Sequence, residues 1–258
     1  MTYVRPVATM ERHGHSGGPR RYCGELSFSG ESVLLVGASR GLGLAIAREY
    51  LSQGARVVAT VRGPEPTPLH VLVEEYRGLL EIESVDITEL DQLAALHARL
   101  AGHSFGLVFV NAGVTNDEAE TIATVSDAEF SRLMLTNALA PMRFIEAFAG
   151  LASERATLAV MSSGQGSIEN NTRGGFEIYR ASKSALNQLM RSYAARTQDD
   201  GHTLLLLAPG WIRGTGVGGP NAPLTIEESI PRLVRTIQGS HGKGGLQFLD
   251  YRGETVSW

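Results

Sequence analysis

Residues 32–54 read SVLLVGASRGLGLAIAREYLSQG, and the fold follows from how that stretch divides. SVLLV is a short apolar run closed by Gly37, whereas LGLAIAREYLSQ places apolar residues at helical spacing and stops at Gly54. A brief apolar run, a glycine turn and an amphipathic segment make strand, turn, helix. The same alternation recurs down the chain. RVVATV, LEIESV, LVFVNAG, TLAVMSS, HTLLLLAPG and GLQFLDY read as six further strands. Helical patterns lie between them in PLHVLVEEY, TELDQLAALHARLAG with Thr88 as cap, FSRLMLTNALAPMRFIEAF, YRASKSALNQLMRSYAART and TIEESIPRLVRTIQ. Ser126 and Glu129 have capping-box spacing ahead of the third of these, and Pro141 is expected to bend or divide it. Pro231 leaves the start of the last helix open.

Strands that are apolar throughout and separated by helices require a parallel sheet covered on both faces. The expectation is therefore an α/β, Rossmann-type doubly wound sheet of about seven strands, formed as a single domain by residues 29–258. Residues 1–28 show neither period and are rich in Gly, Arg and His, which reads as a flexible arm.

Composition narrows the partners. With 43% apolar and 19% charged residues, a net charge of −4 and a pI near 6.0, no field favours nucleic acid or an anionic membrane, and a small-molecule ligand is expected. The single cysteine, Cys23, cannot form an intrachain disulfide, which fits a reducing compartment. No apolar run is long enough to span a bilayer or to act as a secretory signal, so a cytoplasmic location is expected. His13 and His15 sit in a polar segment without a Cys or carboxylate framework and read as solvated, so no metal site is expected.

Gly37, Gly41 and Gly43, spaced G-x-x-x-G-x-G, fall between the first strand and its helix. Glycines there let backbone approach a pyrophosphate while the helix N-terminus offers amide donors, although a purely structural turn is the competing reading. The second strand ends without a carboxylate and with Arg62, and Arg40 lies inside the glycine turn. Two guanidinium groups suit a 2′-phosphate and favour NADP(H) over NAD, unless both are simply surface arginines. After the third strand, Asp86 is placed to accept from an adenine amino group with Ile87 packing on the ring; alternatively, Asp86 only faces the next helix. Lys183 raises a further question, since only it and Lys243 among 23 basic residues are lysines.

GASRGLG at 37–43, NAG at 111–113, Asn137, the pair Ser162–Ser163, YRASK at 179–183 and PG at 209–210 stand in an order that resembles the single-domain short-chain dehydrogenase/reductase family. NNTRGGFEIYRASKSALNQL, APGWIRGTGVGGPNAPLTIEES and FLDYRGETVSW are similar, within it, to C-factor-type and sniffer-like carbonyl reductases. Tyr179 and Lys183 are four apart on a predicted helix and share a face. A phenol ionises at about pH 10, and a neighbouring ammonium is expected to lower that value. A compact lysine can do this and also reach ribose hydroxyls, where the broad fork of arginine suits neither task as well.

The resemblance implies Tyr179 as proton donor, Ser163 polarising a carbonyl with Ser162 as the other candidate, and Asn137 holding a water that links Lys183 to solvent. It also implies cofactor contacts by Ser39, Leu42, Ala112, Pro209, Gly210 and Ile212, with Asn111 and Gly113 fixing a turn against the adenine ribose. Two departures stand out. Val110 replaces an asparagine, and RGTGVGG after Ile212 carries an extra residue with Gly216 where an aspartate would fall. The implied activity is NADP(H)-dependent reduction of a ketone or aldehyde, or oxidation of the alcohol, by a homo-oligomer (dimer or tetramer) joined through the helices of Asn137 and Tyr179. A cofactor-binding regulatory protein without turnover is the alternative. An epimerase or dehydratase of the extended branch fits neither the glycine spacing nor the short segment after Pro209.

Overall fold

The computed structural model describes residues 32–258; the arm assigned to residues 1–28, Cys23 and the His13–His15 pair lie outside them. Among the described residues the strands are β1 (Ser32–Val36), β2 (Arg56–Val61), β3 (Leu80–Ser84), β4 (Phe105–Val110), β5 (Ala152–Met161), β6 (Thr203–Ala208) and β7 (Gly245–Asp250). The α-helices are α1 (Gly41–Ser52), α2 (Pro68–Glu75), α3 (Leu90–Arg99), α4 (Asp127–Met134), α5 (Ala140–Phe148), α6 (Glu177–Arg196) and α7 (Ile226–Ser240). All seven strands pair in parallel in the order β3-β2-β1-β4-β5-β6-β7. This is the expected Rossmann-type sheet.

Alternate residues of each central strand feed opposite cores. Leu34, Val108, Val160 and Leu206 pack with Leu93 of α3, Phe144 of α5 and Met190 of α6. Leu35, Phe109, Ala159 and Leu205 pack with Ile46 of α1, Leu72 of α2 and Leu233 of α7. A period of two with both sets apolar forces a helical layer on each face. Each fully buried large side chain contributes about 1.5–3 kcal/mol.

Several local expectations are corrected by partner choice. Ser126 accepts from the Glu129 backbone N at 3.1 Å, but the Glu129 carboxylate turns to Arg132 Nε at 2.7 Å, so only half of the capping box forms. Thr88 does not cap α3; its Oγ1 donates to Asp86 Oδ1, and Glu89 occupies the capping position. β5 begins five residues before TLAVMSS, in a stretch containing exposed Glu154 and Arg155 that hides the strand pattern. Pro231 lies inside α7, whose start is set upstream by a full capping box between Thr225 and Glu228.

The division at Pro141 takes a specific form. Residues 135–139, between α4 and α5, make a π-helical turn. Proline has no N–H to donate to the carbonyl four residues back, which is that of Asn137.

Candidate active site

In a parallel sheet every strand ends at the same edge, and the order reverses between β1 and β4, which opens a crevice there. The three glycines of the β1–α1 turn meet three different demands. Gly37 has φ +85°, and a Cβ there would lie 2.9 Å from the Cα of Ala112. Gly43 is pressed against the turn itself, with a Cβ position 2.0 Å from the Gly37 carbonyl. Gly41 has φ +56° and nothing within 4 Å, so the turn is open on that side. The Asn111 side chain donates to Gly37 O at 2.8 Å, while Asn111 N and Ala112 N both donate to Val36 O, which pins the turn to the end of β4.

α1 starts without a side-chain cap and without an acidic residue in its first turn. Its first amides therefore face a space fit for an anion. Arg40, at the start of α1, and Arg62, just past the end of β2, are exposed, and neither makes an ion pair with a described residue. An open glycine turn, the uncapped start of α1 and two exposed guanidinium groups suit a phosphorylated dinucleotide. Ser39 and Leu42 lie half-buried in the same turn.

Asp86 is partly engaged elsewhere. Its Oδ1 accepts from Thr88 N at 3.0 Å and from Thr88 Oγ1 at 2.7 Å, and its backbone N donates to Gln92 Oε1. Ile87 is buried in the core beneath α3. On the far side, Pro209 O accepts from Ser229 Oγ at 2.6 Å, and Gly210 takes φ +90°. Ile212 is buried and pairs with Leu224 at the neck of the altered loop. Gly216 in that loop approaches Thr115 so closely that a Cβ would sit 2.9 Å from the threonine methyl.

Tyr179 and Lys183 emerge from one face of α6 and are 8% and 3% exposed. Lys183 Nζ donates to Met161 O at 2.9 Å, at the carboxyl end of β5, and lies 5.8 Å from the Tyr179 ring centre. The tandem serines separate cleanly. Ser162 Oγ donates to Asn187 Oδ1 at 2.6 Å, whereas Ser163 accepts from Gln165 N and stands near enough to the Tyr179 phenol to lower its pKa.

Asn137, fully buried, clasps the loop after β4: its Oδ1 accepts from Val114 N and its Nδ2 donates to Val114 O, all at 2.8 Å. Nδ2 also reaches Ser182 Oγ on α6 at 2.9 Å. One point above Gly113 lies 3.3 Å from Asn137 Oδ1 and 3.4 Å from Lys183 Nζ, so the two groups converge there. Val114, Phe176 and Val217 pack with Leu133, Ile178 and Tyr179 to give the phenol apolar walls.

Burial decides the electrostatics and corrects one expectation. Burial pushes the Tyr179 phenol up to about 12, and the Ser163 side chain pulls it back only in part. Burial also lowers Lys183 to about 8. In this structure desolvation outweighs any help the ammonium gives the phenol, because both groups lose water together.

The sequence matches the family model for short chain dehydrogenase over residues 31–222. The chain belongs to the short chain dehydrogenase family. Its fold is similar to the crystal structure of a family member from Burkholderia multivorans with bound NADP, at 52% identity and a TM-score of 0.86, covering 88% of this chain and 99% of that one. It is also similar to a carbonyl reductase from Pseudomonas aeruginosa PAO1 in complex with NADP, at 36% identity and a TM-score of 0.82, with coverage of 88% and 99%. C-signal from Myxococcus xanthus is 35% identical over 150 residues, which are 57% of this chain and 89% of that protein.

Within this short chain dehydrogenase the sequence brought forward most polar groups of the crevice but missed three. Thr60, whose Oγ1 accepts from Gly37 N at 3.1 Å, sits in an apolar strand where a buried hydroxyl asks for a partner. Ser182 and Asn187 are buried polar residues on the Tyr179 face of α6. Their signal was helical spacing. Among the described residues no cluster of metal-ligating side chains occurs, and no helix is long and apolar enough to cross a membrane.

Proposed function

We propose that this short-chain dehydrogenase/reductase uses NADP(H) to reduce a ketone or aldehyde with apolar substituents, or to oxidise the corresponding alcohol. The observation that carries the reading is the juxtaposition of half-buried Ser163 with buried Tyr179 and Lys183 at the sheet edge that also carries the open glycine turn. The bound cofactor supplies the hydride. Gly37, Ser39, Gly41, Leu42 and Gly43 cradle its pyrophosphate, and Arg40 and Arg62 take the 2′-phosphate. Asp86, through its remaining oxygen, would border the adenine, with Ile87 in the core behind it. Asn111, Ala112 and Gly113 would hold the adenine ribose, and Pro209, Gly210 and Ile212 would hold the nicotinamide end.

A phenol held near 12 is fully protonated at neutral pH, so Tyr179 stands ready to give its proton to the developing alkoxide. Ser163 donates a hydrogen bond to the same oxygen as charge grows on it. Lys183, charged below about pH 8, stabilises the phenolate left behind, and Asn137 holds the water through which that proton is replaced. Val114, Phe176 and Val217 select apolar groups on either side of the carbonyl. The proposal includes self-association, with the apolar groove of Leu90, Leu139, Met142 and Leu189 between α3, α5 and α6 as the surface covered; size-exclusion chromatography should give a dimer or larger, and a monomer that persists at high concentration refutes it.

The test is NADPH consumption across a panel of aliphatic and aromatic ketones and aldehydes, with NADPH binding followed by its fluorescence. Turnover of at least one apolar carbonyl is expected. A folded protein that binds NADPH and turns over none of them supports instead a cofactor-binding regulatory role, the reading that the likeness to C-signal favours.

A further inference from the structure

We infer that Asn187 is a positioning residue that sets Ser163 against Tyr179, an assignment that rests on the reductase reading above. Tyr179, Lys183 and Asn187 stand at i, i+4 and i+8 on α6 and so share one face. Asn187 is buried, and both ends of its amide are used on the turn that presents Ser163. Oδ1 accepts from Ser162 Oγ at 2.6 Å, immediately before Ser163, and Nδ2 donates to Gly166 O at 3.2 Å, three residues after it.

The rest of the turn is seated on the same helix. Ser184 Oγ donates to Gly166 O at 2.9 Å, and Lys183 Nζ holds Met161 O. Gly166 lies so close to α6 that a Cβ would come within 3.0 Å of Lys183 Cβ and of Asn187 Nδ2. The helix that carries the acid and the cation therefore also fixes the hydroxyl that works with them. Among the described residues, Asn187 is the one side chain that hydrogen-bonds the turn on both sides of Ser163. An apolar residue at 187 would fill the space but leave Ser162 Oγ and Gly166 O without these partners, freeing the turn to shift.

The experiment is a double-mutant cycle with Ser163→Ala and Asn187→Ala, reading kcat for the best carbonyl of the panel, NADPH affinity by fluorescence and the thermal midpoint. Ser163→Ala is expected to lower kcat about 10²-fold, as loss of one oxyanion donor does. Asn187→Ala is expected to lower kcat roughly tenfold, because a misplacement on the order of 1 Å can cost up to 10²-fold. NADPH affinity should stay within about twofold of wild type, and the double variant should be no slower than Ser163→Ala, since a group that acts through Ser163 has nothing left to position.

Independent, multiplying losses in the double variant, or unchanged kcat in a folded Asn187→Ala, overturn the inference while leaving the reductase reading intact. Wild-type turnover by Ser163→Ala overturns both. Should Asn187→Ala fail to fold, Ser162→Ala removes only the donor to Asn187. It should slow kcat about threefold in the wild-type background and not at all with Ser163→Ala, on the same non-additivity argument; equal slowing in both backgrounds sinks the idea.

Discussion

The β1–α1 turn and the inner face of α6 lie at the same edge of the sheet and are built on opposite principles. At the turn, backbone amides and two guanidinium groups stand open to water, held by glycines that leave room for a ligand. On α6, an amine and a phenol are stripped of water and fixed by neighbouring carbonyls and hydroxyls. Exposed cations favour capture of an anion and are screened by salt. Buried groups do little for capture but act strongly on charge that develops beside them. Lesions in the first region should therefore appear in cofactor affinity, and lesions in the second in turnover.

After loss of the Tyr179 hydroxyl, the largest effect should come from Lys183→Met, which is expected to lower kcat about 10²-fold or more, in the range of assisted proton transfer, with NADPH affinity changed far less. It should also remove a pH limb. In the wild type, kcat for reduction should fall above about pH 8 as Lys183 loses its proton, and a variant without the amine should show no such limb. A fall in NADPH affinity that matches the loss of kcat would erase the distinction between the two regions.

Gly43→Ala comes next. Its methyl would meet the Gly37 carbonyl at 2.0 Å and push apart the cofactor turn. A destabilisation of roughly 1–3 kcal/mol, as overpacking gives, should accompany loss of NADPH binding. Thermal melts and fluorescence titrations check both. Arg62→Ala should weaken NADPH about tenfold, consistent with a hydrogen bond to a charged group, and leave NADH affinity and kcat nearly unchanged. Equal effects on both cofactors would place Arg62 away from the 2′-phosphate. The smallest effect should be that of Ser126→Ala, remote from both regions, with about 1 kcal/mol lost from a helix cap and kinetics intact.

The pKa displacements also bear on stability, with opposite signs. Lys183 in the fold, at about 8, lies below its ordinary 10.5, so between those values the unfolded chain holds a proton the folded one has released, and stability rises with pH. Tyr179, at about 12, lies above its ordinary 10.0, so its contribution is complete below pH 10 and is lost as pH climbs toward 12. Denaturation midpoints from pH 7 to 10 should rise more in wild type than in Lys183→Met.

The sheet was legible because β1, β2, β4 and β6 and the second half of β5 are apolar runs punctuated by glycine, proline or a helical period, and such signals are local. So was the YRASK face of α6, since a spacing of four fixes which side chains neighbour each other. What escaped depends on contacts between distant segments. Glu129 has two partners within reach and takes the arginine; Asp86 engages the threonine that had been read as a cap. The form of the break at Pro141 was hidden because a missing N–H says where a helix is weakened and not how the backbone recovers. The direction of the Tyr179 shift escaped for the same reason, because a neighbouring cation is visible in the sequence and the water excluded around it is not.

The Tyr179 hydroxyl is the proposed source of the proton, and the measurement closest to that role is the single-turnover rate of NADPH oxidation in Tyr179→Phe, with NADPH binding measured on the same sample. The phenylalanine keeps the ring against Phe176 and removes only the hydroxyl. The predicted result is NADPH bound as in the wild type with oxidation slowed about 10²–10⁴-fold, the worth of a positioned acid. Oxidation within a few-fold of wild type, at equal NADPH binding, would contradict it.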